Sequence, residues 1–200
     1  MSKEGVDLGR RRFLTATTTV VGGAGVVAAL VPFITYMTPS ARARAAGAPV
    51  EADFSKLEPG KMMTFEYRKK PIWVVRRTAQ NLADLTTLND QLADPSSKVP
   101  QQPAYIKGDA RSIKAEYAVM EGICTHLGCS PTHKPEMGAA EGMTDDWKGG
   151  FYCPCHGSKF DLSGRVYAGV PAPTNLKIPP HKYLSETKIM IGVDQEGATA

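Results

Sequence analysis

The 200-residue chain is 42% hydrophobic and 22% charged, which suits one globular domain with an added segment and excludes a disordered chain. Its formal net charge is +4, yet six basic and two acidic residues fall in residues 1–48, leaving 18 of each sign in the other 152. A nucleic-acid footprint needs a basic face on the folded part. The balance argues against nucleic acid as a partner, because the positive charge belongs to the tail.

In chain order, Arg10-Arg11-Arg12-Phe13-Leu14 fits the twin-arginine export pattern of two arginines, any residue and two large apolar ones. Thr15 to Met37 follows with no charge in 23 residues. As a helix this stretch spans roughly 34 Å, enough for a hydrocarbon core of about 30 Å. Pro32 is tolerable near the end of such a helix. The preceding arginines keep the short N-terminus cytoplasmic and send the rest across. Ala41-Arg42-Ala43 and Ala43-Arg44-Ala45 resemble small-residue cleavage sites, so a cleaved signal is the competing reading. The apolar run is longer than a usual signal core of roughly 7–15 residues, which favours a retained anchor. Pro39 to Pro49, PSARARAAGAP, reads as a small-residue linker: a short helix, a hinge or a passive spacer.

From Val50 onward short strands are broken by Gly and Pro. Met62 to Tyr67 and Pro71 to Val75 read as strands. Leu82, Leu85, Leu88 and Leu92 share one face of a helix over 79–93 that stops before Pro95, and this stripe suits core packing. Ala115 to Met120 reads as a strand leading into CTHLGC at 124–129, and Gly150 to Tyr152 as one leading into CPCHG at 153–157. Leu176 to Ile178 and Lys188 to Val193 close the chain as strands. The expected fold is mainly β, with one helix in a long connection.

All 4 cysteines lie in the two clusters, and each cluster also holds a histidine. These candidates outnumber the four ligands that a tetrahedral zinc or a 2Fe–2S cluster takes. Zinc ribbons favour paired C-x-x-C knuckles, whereas the spacings here are C-x-H-x-x-C and C-x-C-H. A pair of disulfides leaves both histidines without a role, and the plant-type C-x4-C-x2-C spacing is absent. One arrangement uses every residue: each loop gives one Cys and one His to a 2Fe–2S cluster, and the spare cysteines pair.

CTHLGC together with CPCHGS closely resembles the two boxes of Rieske proteins. With the tail, the linker and Gly169-Val170-Pro171-Ala172-Pro173, the resemblance extends over most of the chain to the Rieske iron–sulfur subunits of bacterial cytochrome bc complexes, the quinol–cytochrome c reductases. It implies a Rieske-type antiparallel β-sandwich head with a cluster-binding subdomain at about 118–174. The implied order is a cytoplasmic N-terminus at 1–14, one transmembrane helix at 15–38, a hinge linker at 39–49 and a periplasmic 2Fe–2S domain at 50–200, anchored in the bacterial inner membrane. Cys124 and Cys153 would hold one iron of a single 2Fe–2S cluster, His126 and His156 the other, and Cys129 and Cys155 would form a disulfide. Gly128 and Gly157 would permit tight loops, Ser158 would hydrogen-bond a bridging sulfide, and Pro173 belongs to the proline segment over the cluster. Phe160 departs from the pattern, since many relatives carry tyrosine there. A cluster inserted in the cytoplasm must cross already folded, which the twin-arginine route permits.

The choice of histidine has a physical reading. Neutral imidazoles in place of two thiolates remove negative charge, which eases reduction and raises the potential to about −150 to +300 mV from about −400 mV. Each imidazole also keeps a second nitrogen that can carry a proton. By the resemblance, His156 would contact quinol in the cytochrome b subunit, Leu127 would pack at that docking surface, and the head would swing to a cytochrome c subunit within a dimeric complex. The chain would be an oxidoreductase subunit active only within the complex. Two alternatives are an electron-transfer subunit of an arsenite-oxidase-type molybdoenzyme, which carries the same boxes, and a zinc-stapled binding module. His133 and His181 lie outside the ligand spacing and read as ordinary histidines, and Trp73 and Trp147 as packing residues.

Overall fold

A computed structural model describes residues 5, 7–139 and 143–195. It divides into two compact units, Met1–Ala45 and Ala46–Ala200.

The first unit is dominated by helix α1, Leu8–Met37. Asp7 caps it, accepting from Gly9 N at 3.0 Å and Arg10 N at 3.1 Å. The twin arginines therefore form the first turns of this helix, which starts earlier than the expected residue 15. It stops at Thr38, whose extended backbone (φ −76°, ψ 138°) is what a following proline imposes. No side chain of α1 is buried, and Val20, Val21, Val26, Val27, Phe33 and Ile34 all stand exposed. The linker contains a short helix α2, Ala41–Ala46, capped by Ser40.

The second unit is built from antiparallel strands: β1 Val50–Asp53, β2 Met62–Tyr67, β3 Lys70–Arg76, β4 Tyr117–Glu121, β5 Thr132–Lys134, β6 Gly150–Tyr152, β7 Lys159–Asp161, β8 His181–Tyr183 and β9 Lys188–Ile191. They pair as three sheets, β1-β9-β8, β2-β3-β4 and β5-β6-β7. The middle sheet is covered on both faces. Side chains alternate along a strand, so Ile72 and Val74 of β3 join Ala52, Ile189 and Ile191 in one core, while Trp73 and Val75 join Phe151, Phe160, Cys124 and Cys153 in the other. Burial on two sides explains why β3 and β4 are near-continuous apolar runs.

Helix α3, Ala79–Thr87, opens with a capping box between Thr78 and Asn81 and turns into a 3-10 segment at Asn89–Gln91. Leu85, Leu88 and Leu92 of the leucine stripe are buried. Residues 176–178, expected as a strand, are not one. Leu176 N bonds to Gly164 O, the Lys177 carbonyl accepts from Glu121 N, and Ile178 N bonds to Gln101 O, so three different partners replace a ladder. Strands β5, β7 and β8 are too short to leave a periodic signal in the sequence.

A buried ion pair stands at the foot of the second cysteine loop. Asp161 and Arg165 side chains are both fully buried and meet at 2.7 Å. Asp161 Oδ1 also accepts from Ser163 N and Arg165 N, and Arg165 donates to Asn89 Oδ1 and Leu85 O. Removing one partner of such a pair costs about 3–5 kcal/mol, because the other charge stays buried. Arg165→Ala should therefore lower unfolding stability by that amount in urea denaturation followed by the fluorescence of buried Trp73 and Trp147. A loss under about 1 kcal/mol would show the pair to be dispensable.

Candidate metal centre

The two loops that carry the cysteines and histidines are closed by the same backbone hydrogen bonds. In the first, Cys124 N donates to Cys129 O at 2.7 Å and Gly128 N to Cys124 O at 3.1 Å. In the second, Cys153 N donates to Ser158 O at 2.8 Å and Gly157 N to Cys153 O at 2.9 Å. Each reversal falls on a glycine in the left-handed region, φ 86° at Gly128 and 75° at Gly157, where a side chain would be strained. The histidines do not occupy matching places: His126 is the third residue of its loop, and His156 the fourth.

The loops face one another. Cys129 and Cys155 form a disulfide between them. Cys124 and Cys153 are free, buried and part of the core that includes Phe151 and Phe160. Burial pushes the Cys124 thiol up, with contributions from Cys153 in the same direction. The His126 and His156 rings meet edge to face with centroids 4.7 Å apart. His156 is exposed and His126 half-buried, with its Nδ1 buried and without a partner.

Around them, Leu127 projects at the tip with 73% of its surface exposed. The proline segment is tied down at two points: Ala172 N donates to Ser158 Oγ at 3.0 Å, and Thr125 Oγ1 donates to Thr174 O at 2.7 Å. Ala172 is buried, whereas Pro171 and Pro173 are exposed. Phe160 is fully buried in the same core as Cys124. The structure thus gathers all four cysteines, His126 and His156 at one end of the second unit. His133 and His181 lie elsewhere: His133 tilts against Phe151, and His181 Nδ1 donates to Pro179 O at 2.9 Å. Burial pushes both below the usual histidine range.

Thr125 and the Asp161–Arg165 pair escape motif reading. Thr125 sits inside a box read for its metal donors. Asp161-Leu-Ser-Gly-Arg165 carries a turn signal, an Asp followed by Gly164 (φ 71°), that announces the turn but not the buried pair.

A buried imidazole nitrogen without a partner costs free energy, and two buried free thiols together with two facing imidazoles are the donor set of a histidine-ligated 2Fe–2S cluster. The residues fit that group. The site and its scaffold define a β domain built to carry one iron–sulfur centre between two loops.

Comparison with known proteins specifies the kind. Residues 49–180 match the family model described as Rieske [2Fe-2S] domain, and residues 1–40 match one described as Ubiquitinol-cytochrome C reductase Fe-S subunit TAT signal. The ubiquinol-cytochrome c reductase iron-sulfur subunit of Allochromatium vinosum is 60% identical, covering 99% of this chain and 95% of that protein. The subunit of the same name from Blastochloris viridis is 41% identical over 96% of this chain and 97% of that protein. A solved structure titled "Hyperthermophilic respiratory Complex III" aligns with 88% of this chain and 98% of its own at 26% identity and a TM-score of 0.48. The chain belongs to the Rieske iron–sulfur family, among the ubiquinol–cytochrome c reductase iron–sulfur subunits. Its cofactor is a Rieske-type 2Fe–2S cluster.

Phe160 can be tested as a tuning position. If, as the family resemblance implies, a tyrosine hydroxyl there reaches the Cys124 sulfur, it would donate to it, draw off negative charge and favour the reduced form. A hydrogen bond of about 0.5–1.5 kcal/mol corresponds to about 20–65 mV for one electron. Phe160→Tyr should raise the midpoint by that amount in protein-film voltammetry. An unchanged or lower midpoint, with the variant less stable, would mean that the hydroxyl is buried without an acceptor.

Proposed function

We propose that this chain is the electron-carrying subunit of a quinol–cytochrome c reductase, with Cys124, His126, Cys153 and His156 holding its 2Fe–2S cluster and His156 meeting the quinol. The observation behind it is the pairing at one end of the head of two buried free thiols and two facing imidazoles, straddled by one disulfide. When bound, the cluster supplies a one-electron couple.

The residues divide the remaining work. Cys124 and Cys153 sit on the core side, where Phe151 and Phe160 exclude water. Leu127, Pro171 and Pro173 are exposed, as is His156, and would give the tip an apolar rim suited to a pocket in cytochrome b. There His156 Nε2 accepts a hydrogen bond from the quinol hydroxyl and takes its proton, later releasing it on the periplasmic side. The quinol's second electron goes to cytochrome b, and the head delivers its own electron to a cytochrome c subunit of the dimeric complex.

The first unit supports anchoring. A 30-residue helix with no buried side chain and a face of exposed valine, leucine and phenylalanine would be costly in water. Its length, roughly 45 Å, exceeds a hydrocarbon core of about 30 Å. The match of residues 1–40 to a twin-arginine signal fits a head exported in folded form. The segment 39–49 would act as the hinge, with α2 its ordered part.

Alanine at Cys124, His126, Cys153 or His156 should each abolish the g-anisotropic EPR signal of the dithionite-reduced chain. Alanine at Leu127 should leave the signal and lower quinol turnover. Iron retained in a ligand variant, or zinc in place of iron in the wild type, would overturn the assignment.

The anchor makes a separate expectation. Membranes washed with alkaline carbonate should keep the chain, and a chain lacking residues 1–38 should appear in the soluble fraction with its EPR signal intact. Release of the full-length chain by the wash, or a mature N-terminus near Ala46, would mean a cleaved signal.

A further inference from the structure

The sulfur geometry holds a reaction that cluster binding must suppress. The Sγ atoms of Cys129, Cys153 and Cys155 all lie within 4.8 Å of one another. Two of them form the inter-loop disulfide, while the third belongs to a free, buried cysteine. A thiolate beside a disulfide exchanges with it through attack on one sulfur and departure of the other. We propose that the cluster, by occupying Cys153, selects the Cys129–Cys155 pairing, and that a chain without its cluster rearranges to Cys129–Cys153. This rests on the assignment of Cys153 as a ligand made above.

The geometry also favours one direction of attack. The Cys153 thiolate attacks Cys129 Sγ; the Cys129–Cys153 bond forms as the Cys129–Cys155 bond breaks. Cys155 departs as a thiolate and takes up the proton that Cys153 lost, so neither oxidant nor reductant is consumed. Cys155 is exposed and Cys129 half-buried, so Cys155 is the leaving group that water solvates better. Attack on Cys155 instead would close a ring across Pro154 alone and leave the two loops unjoined. Cys129–Cys153, by contrast, still joins the two loops.

The consequence is an order of assembly. Four cysteines allow three connectivities; with Cys124 and Cys153 committed to iron, one remains. An exported chain that lacks the cluster would settle into a pairing that removes Cys153 from the ligand set and could not accept a cluster afterwards. Disulfide formation then records whether the cluster was present.

The test maps disulfides and free thiols by alkylation and mass spectrometry on the full-length chain under anaerobic conditions. Wild type stripped of iron with an excess of a ferrous chelator should yield a Cys129–Cys153 peptide and alkylated Cys155, whereas the loaded chain yields Cys129–Cys155 alone. The variants Cys124→Ser and His126→Ala keep Cys153 and should rearrange in the same way. Cys153→Ser, equally without a cluster, should keep Cys129–Cys155. Persistence of Cys129–Cys155 with alkylated Cys153 in the stripped wild type would overturn the proposal. A disulfide containing Cys124 would overturn it too, since Cys124 is not part of the sulfur triangle. If Cys124→Ser and His126→Ala keep their iron, the ligand assignment fails, and the stripped wild type still decides the exchange.

Discussion

Everything at the tip depends on two loops, which share no ladder of hydrogen bonds with each other, being held face to face. Each loop is rigid by itself, because a paired set of backbone hydrogen bonds folds it back on a glycine. Rigidity within a loop does not fix the distance between loops. The Cys129–Cys155 bond does that on the solvent side, and the shared core of Phe151, Phe160 and Ala172 does it beneath. The two free thiols belong to that core, and the two imidazoles of the loops face one another. A metal centre needs its donors placed before the metal arrives, or binding must supply the ordering free energy, and this double constraint places them.

The same constraint divides the loops into a dry side and a wet side. Cys124 and Cys153 point into a core where an uncompensated thiolate is costly, which is why burial raises the Cys124 thiol. His156 stands in solvent, with Leu127 exposed beside it. The free thiols are thus sheltered, and one imidazole is presented outward. The proline segment closes the remaining side through Ser158 and Thr125, two hydroxyls that serve as struts.

Much of this was legible in the sequence. The spacing of four cysteines and two histidines in two boxes restricts the chemistry sharply, since few metal centres take an equal mixture of soft and borderline donors. The strands β3 and β4 were legible because burial on both faces leaves apolar runs, β2 through its weaker alternation, and α3 because Leu82 and Leu85 open a stripe of helical spacing, although the helix ends at Thr87, short of Leu88 and Leu92. Strands β5, β7 and β8 were not, for three residues cannot show alternation, and β6, equally short, was legible through its place just before the second cysteine box. The segment Leu176–Ile178 misled because buried extended chain and paired strand share one composition. Helix α1 began earlier than expected, since polarity and arginine content mark a membrane boundary, while the helix itself starts where Asp7 caps it.

Least legible is the charge beneath the loops. Arg77 and Arg111 are buried, and among the described residues neither forms an ion pair. Arg77 donates to Ala110 O, Ala115 O, Ser112 Oγ and Ser163 Oγ, and Arg111 to Gln102 Oε1, Ser163 O and Leu176 O. Burial lowers both to about 10, so each keeps its proton at neutral pH. Unpaired buried charge is costly, and here carbonyl and hydroxyl oxygens offset the cost instead of carboxylates. Both guanidiniums converge on Ser163, in the turn that links Asp161 to Arg165, so they pin the end of β7 to the middle sheet. Beyond those contacts, the main compensating charge is Asp161 itself, whose carboxylate favours the charged form of both guanidiniums against the burial that opposes it. The buried carboxylate that holds Arg165 therefore also supports the two arginines that fasten its turn.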